Sequence, residues 1–73
     1  MTKPNKRTIA TNKYTVLVSY QTPVAVKLHD TVLITDIWYS KTTSTHINQF
    51  TLGYYRETIP QSVINEYYRE SIK

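Results

Sequence analysis

A chain of 73 residues is one domain with a thin core, since a domain this short buries only about 60% of the surface its unfolded form exposes. It contains no cysteine, which excludes disulfide staples and thiolate zinc sites and agrees with a reducing cytoplasm. The net charge of +4 is a property of one end: Lys3, Lys6, Arg7 and Lys13 give residues 1–13 a charge of +4 with no acid, while residues 14–73 hold five bases and five acids and are neutral. Residues 1–13 therefore read as a basic, flexible N-terminal arm and residues 14–73 as the folded domain. No apolar run approaches the roughly 18 residues of a membrane span, so no membrane partner is expected.

In chain order, Tyr14 to Tyr20 alternates β-branched and aromatic residues with period two and predicts a strand. Pro23 interrupts it, because proline cannot donate to a ladder, and Val24 to Leu28 then resumes the alternation as a second strand. If residues 14–28 are instead one bent strand, the bend at Pro23 is where a bulge belongs. His29-Asp30 is a short polar break that predicts a hairpin turn. Thr31 to Tyr39 is apolar on both sides and predicts the central strand of the sheet, one face covered by helices and the other by a second subunit or left as an exposed patch.

Beyond the stretch Trp38-Tyr39-Ser40-Lys41-Thr42-Thr43-Ser44-Thr45-His46, the pattern turns helical. Thr43 or Ser44 can cap a helix over about 44–52, and Gly53 stands where a left-handed residue ends one. Residues 54–59 read either as a linker or as a fourth strand. Pro60 then opens a last helix with Val63, Ile64, Tyr67, Tyr68 and Ile72 on one stripe. The expected fold is α+β: a small three-stranded antiparallel sheet, four-stranded if residues 54–59 pair, followed by two helices packed on one face.

Two motifs stand out: Tyr20-Gln21-Thr22-Pro23-Val24-Ala25, of the form Tyr-x-Thr-Pro-Val-Ala, and Tyr39 to His46, of the form Tyr-Ser-x-Thr-Thr-Ser-x-His. Through them the chain resembles, over about residues 14 to 70, a family of short uncharacterised bacteriophage and prophage proteins. The resemblance implies a phage or mobile-element setting, and so the host cell's cytoplasm, with no activity attached.

Ser40, Ser44 and His46 suggest a nucleophile and base, but Ser44 and His46 are two apart at a helix start and point in different directions, so no catalytic residue is assigned. His29, His46, Asp30 and Asp36 match no metal-ligand spacing, and neither a metal nor a cofactor is expected. Two readings of the hinge stay open. Ser40, Lys41, Thr43, Ser44 and His46 could form an anion or partner contact at a helix N-terminus, or the hydroxyls could simply satisfy the first-turn amides. The expected role is that of an accessory protein gripping a host or phage protein, for instance a counter-defence inhibitor or a replication modulator, through an aromatic interface of Trp38, Tyr39, Tyr55 and Tyr68. A homodimer would use the same surface. The alternative is nucleic-acid binding by Lys3, Lys6, Arg7 and Lys13 of the arm, with Tyr14, Tyr20, Tyr39, Tyr54 and Tyr55 as stacking platforms.

Overall fold

The structure, a computed structural model, describes residues 6–73, and Lys3 lies outside the described residues. Its elements are β1 Lys6–Ala10, β2 Thr15–Ser19, β3 Thr22–Lys27, β4 Thr31–Thr35, α1 Lys41–Phe50, β5 Tyr55–Ile59 and α2 Gln61–Ser71. The five strands form one sheet in sequential order, in which β1 to β4 run antiparallel and β5 joins β4 in parallel. Five strands of mixed direction thus replace the expected three or four antiparallel ones. The α+β class stands.

The difference arises at the two edges. Residues 6–13 were expected to belong to a flexible arm, yet Lys6–Ala10 pair with β2 from Lys6↔Ser19 to Ala10↔Thr15. A tight turn closes this hairpin, with Thr11 N–H donating to the Tyr14 carbonyl at 2.8 Å and the Thr11 hydroxyl accepting from the amides of Lys13 and Tyr14. At the other edge, residues 54–59 resolve into β5, and a parallel strand needs a crossover element, which is α1.

The middle of the sheet follows the alternation. His29-Asp30 is the hairpin turn, closed by Leu28 N–H to the Thr31 carbonyl at 2.8 Å. Between β2 and β3 the loop is Tyr20-Gln21, and Tyr20 holds φ 59 while Gln21 does not enter the positive range, the pattern of a II′ hairpin. Glycine is the usual occupant of that position, so a tyrosine there is strained. The register jumps from Leu17↔Ala25 to Val18↔Pro23, making Val24 the extra residue of a bulge on β3. The bulge puts Val24 and Ala25 in the same cluster even though they are consecutive.

Both faces of the sheet are covered. Val16, Val18, Val26 and Leu33 pack with Ile64 of α2, joined by Ile9, Tyr14, Ile59, Tyr67 and Tyr68. Leu17, Val24, Ala25 and Val32 form the second cluster, with Ile34 and with Ile47 and Phe50 of α1. The helices therefore lie on opposite faces, not on one, and α1 occupies the face expected to await a second subunit. Full burial of Ile64 stabilises the α2 layer by roughly 1.5–3 kcal/mol. Gln61 ties the start of α2 to the sheet, its Nε2 donating to the Pro23 carbonyl at 2.8 Å and its Oε1 accepting from the Thr35 hydroxyl.

The expected strand over 31–39 ends at Thr35. There the buried Thr35 hydroxyl accepts from Ile37 N–H at 3.2 Å and Asp36 N–H donates to the Ile59 carbonyl, so the chain leaves the sheet and Ile37, Trp38 and Tyr39 emerge into solvent. Helix α1 starts three residues earlier than expected, and its N-cap is Ser40 rather than Thr43 or Ser44. Gly53 adopts φ 82, the left-handed conformation its position predicts. No helix among the described residues is long and apolar enough to cross a membrane.

Candidate functional site

The two sequence motifs, separated by more than a dozen residues, meet at one end of the sheet. Ser19 at the end of β2, Tyr20 in the loop and Thr22 at the start of β3 come against the start of α1, where they line a groove of about 350 Å³ with Tyr39, Ser40, Thr42 and Thr43. Beneath the groove runs a chain of polar contacts. Ser40 sits at φ −165, ψ 166, extended as an N-cap must be, and its Oγ accepts from Thr43 N–H at 3.1 Å. The Ser40 hydroxyl donates to Thr43 Oγ1 at 3.2 Å, Thr43 Oγ1 lies 3.0 Å from Ser19 Oγ, and Ser19 Oγ lies 2.9 Å from His46 Nδ1.

The spacing in α1 explains the convergence. Thr43 and His46 are three apart and share the inward stripe of the helix, facing the end of β2 where Ser19 stands. Each hydroxyl has one proton and two lone pairs, so with Ser40 donating to Thr43 the Thr43–Ser19 and Ser19–His46 bonds can run either way, their direction set by which imidazole nitrogen carries the proton. The Tyr20 ring lies 6.3 Å from the imidazole, tilted by 43°. Ser19, Thr43 and His46 are all buried, and among the described residues no buried side-chain polar atom lacks a partner.

Of the five residues assigned to an anion or partner contact, Ser40, Thr43 and His46 thus turn inward to one another. Lys41 is exposed and Ser44 half-buried, and Ser44 faces a second groove beside Trp38, Ile47 and Arg56. The hydrogen-bond partner of His46 is Ser19.

The aromatic set divides into three. Trp38, 72% exposed, and Tyr39, 39% exposed, follow Ile37 on the loop after β4, and Tyr20, 52% exposed, borders the same groove as Tyr39. Tyr55, 78% exposed, stands at the opposite end of the β4–β5 pair beside Thr31, near His29 and Tyr54. Tyr68 is half-buried against the α2 core cluster, its hydroxyl accepting from Arg7 Nη2 at 3.4 Å. Tyr14 is likewise taken up: its hydroxyl donates to the Tyr67 carbonyl at 2.9 Å and its ring meets Tyr67 edge-on at 5.1 Å. Desolvation chiefly, then the charges of Glu70 and Tyr67, push the Tyr14 hydroxyl above the ordinary tyrosine range.

The basic residues also divide. Lys6 and Arg7 point to opposite faces of the sheet, Lys6 Nζ donating to Gln49 of α1 at 2.7 Å and Arg7 to Tyr68 of α2, while Lys13 lies in the exposed turn before β2. One residue of this site, Ser19, escaped the sequence, and only a polar residue on the inner stripe of α1 signalled that a partner was needed. Tyr20 stands in the first motif, but its positive φ has no sequence sign.

No curated protein and no solved structure matches the chain. The sequence model that does match, over residues 1–66, is that of a family of unknown function (DUF8033).

Proposed function

The chain thus belongs to the DUF8033 family, whose function is unknown, and from that premise we propose that it acts by binding rather than catalysis, as an accessory protein of phage type that engages a host or phage protein. The observation that carries this reading is Trp38, 72% exposed between Ile37 and Tyr39 on a loop that contributes nothing to either core cluster. With both faces of the sheet already covered, this apolar end is surplus to folding, and tryptophan and tyrosine are the residues on which protein interfaces are centred. Tyr20 adds to the same end at the cost of a strained backbone, and strain of that kind gathers at functional sites. Against a hydrolytic role, Ser19, the serine 2.9 Å from the imidazole, is only 2% exposed at the wall of the groove, and its Oγ is already held by both Thr43 and His46.

The test is affinity capture by the tagged protein from infected-host lysate, with Trp38→Ala beside the parent and nuclease present in one arm. A protein partner retained by the parent through nuclease, and lost by Trp38→Ala at unchanged melting temperature, supports the reading. Partners that survive the substitution, or that all vanish with nuclease, overturn it. Sedimentation at two concentrations separates a foreign partner from a second copy of the chain, because a stable homodimer would itself account for the aromatic end.

A further inference from the structure

The charges of the fold are sorted by face. Around α1 stand Lys6, Lys27, Lys41 and Arg56. Lys6 and Arg56 bond Gln49 and Asn48 of the helix at 2.7 Å and 3.1 Å, and Lys27 Nζ lies 4.4 Å from the ring centroids of both Phe50 and Tyr54. Neither α1 nor the strand residues facing it carries a carboxylate; of the two aspartates in the loops at the ends of β4, Asp36 lines the groove beside Asn48 and Arg56 and offsets one of the four cations there. On the α2 side Arg7, Arg69 and Lys73 are matched by Glu57, Glu66 and Glu70, with Lys73 and Glu70 paired at 3.2 Å. With Lys6 and Arg7 of β1 counted, the charged side chains of the α1 face are basic, those of the α2 face sum to zero, and the remaining acids, Asp30 and Asp36, lie in the loops at the ends of β4.

The outward stripe of α1 is Lys41, Thr42, Thr45, Asn48 and Gln49, all exposed. It holds no apolar side chain, so it lacks the desolvated centre around which a protein interface forms. Hydroxyl, amide, ammonium and guanidinium groups are instead those that contact phosphates and base edges. A ten-residue helix is about 15 Å long and about 10–12 Å across, which suits a B-form major groove about 12 Å wide. Lys6 and Arg56 flank it from β1 and β5, the two edges of a sheet whose outer strands are about 19 Å apart at about 4.8 Å per step.

We propose that the outer face of α1, flanked by Lys6 and Arg56, is a contact surface for double-stranded DNA, its phosphates taken by Lys6, Lys41 and Arg56. Lys27 is held between its two rings and stays out of the count. The aromatic end borders this surface, Trp38 lining the same groove as Asn48 and Arg56, but Trp38 takes no part in the proposed contact.

Fluorescence anisotropy of the full chain with a labelled mixed-sequence duplex of about 20 base pairs tests the assignment. Three phosphate contacts predict a slope of about −2.7 for log affinity against log salt between about 50 and 200 mM. The double variant Lys41→Glu/Arg56→Glu is expected to weaken binding by about tenfold or more. Its counterpart on the other face, Arg69→Glu/Lys73→Glu, changes net charge equally and should move affinity by less than about twofold. Circular dichroism melts confirm that both variants fold. Equal losses in the two variants, absence of duplex binding at about 50 mM salt, or equal affinity for an RNA duplex, whose deep narrow groove excludes a helix, would each overturn the proposal. So would a chain that binds polyglutamate and not DNA, which would assign the face to an acidic protein. Undiminished duplex binding by Trp38→Ala supports it and separates this surface from the aromatic end.

Discussion

Replacing Ser19 with alanine removes one buried oxygen at the end of β2 and tests whether the buried polar chain supports the fold. Ser19 Oγ bonds both Thr43 Oγ1 at 3.0 Å and His46 Nδ1 at 2.9 Å. Thr43 keeps Ser40 as a partner, whereas His46 Nδ1 is left buried without one, which costs about 1–3 kcal/mol. At about 4–8 °C per kcal/mol for a domain this size, a loss of about 2 kcal/mol lowers the melting temperature by roughly 8–16 °C. Thermal unfolding followed by circular dichroism measures it. The double variant Ser19→Ala/His46→Leu removes the orphaned nitrogen as well, so the two changes should together cost less than the sum of the single variants, with a coupling of about 1 kcal/mol or more. A fall of less than about 2 °C for Ser19→Ala, or strict additivity, would refute the claim that this contact holds α1 to the sheet.

Tyr20→Gly should stabilise by about 1 kcal/mol in chemical denaturation, because φ 59 costs a side-chain-bearing residue about that much and glycine nothing; a destabilised variant would mean that the ring's contact with His46 outweighs the backbone strain. Ser40→Ala should cost about 1 kcal/mol by loss of the cap, while Ser44→Ala, whose hydroxyl caps nothing, should stay within about 0.5 kcal/mol; urea unfolding of both decides which residue begins α1. Tyr14→Phe concerns pH. The native state raises the pKa of Tyr14, so at high pH it holds a proton that the unfolded chain has released; the stabilisation is intact below about pH 10 and is lost as pH rises above it. The phenylalanine variant should lose about 1 kcal/mol at neutral pH, from the bond to Tyr67, and show a shallower fall in stability between about pH 9 and 11; an unchanged alkaline limb would argue against Tyr14 as its source.

What the sequence hid lies mostly at the edges of the sheet. Period-two alternation marks a strand only when one of its faces is buried against something, which holds for Thr15–Ser19, Thr22–Lys27 and Thr31–Thr35 and fails for the outer strands. Lys6-Arg7-Thr8-Ile9-Ala10 has one half-buried member and looks like a solvated tail, and Tyr55-Arg56-Glu57-Thr58-Ile59 is exposed until its last residue. The crossover followed from the same blindness: without β5, α1 has no reason to lie inside the sheet order. The opposite-face helices were more legible than the reading allowed, since Val32-Leu33 is apolar on both sides and requires two covers. Near the site, the hydroxyl cluster and His46 stand out in the sequence, but the residue that unites them is Ser19, 24 and 27 positions away, and no local pattern reports a contact of that range.

Both outer strands end the sheet with charge. Lys6 and Arg7 stand on β1, Arg56 and Glu57 on β5, and in each pair one side chain projects to either side of the sheet. An unpaired strand edge is a template for another chain, and a row of open amides and carbonyls flanked by β-branched residues invites stacking of one molecule on the next. The ions set against that tendency carry hydration that any edge-to-edge pairing would have to strip away. Neutralising Lys6 and Arg7 together would leave Thr8-Ile9-Ala10 as an uncharged edge, and the consequence would be read first as turbidity in a concentrated solution, before any change in the fold itself.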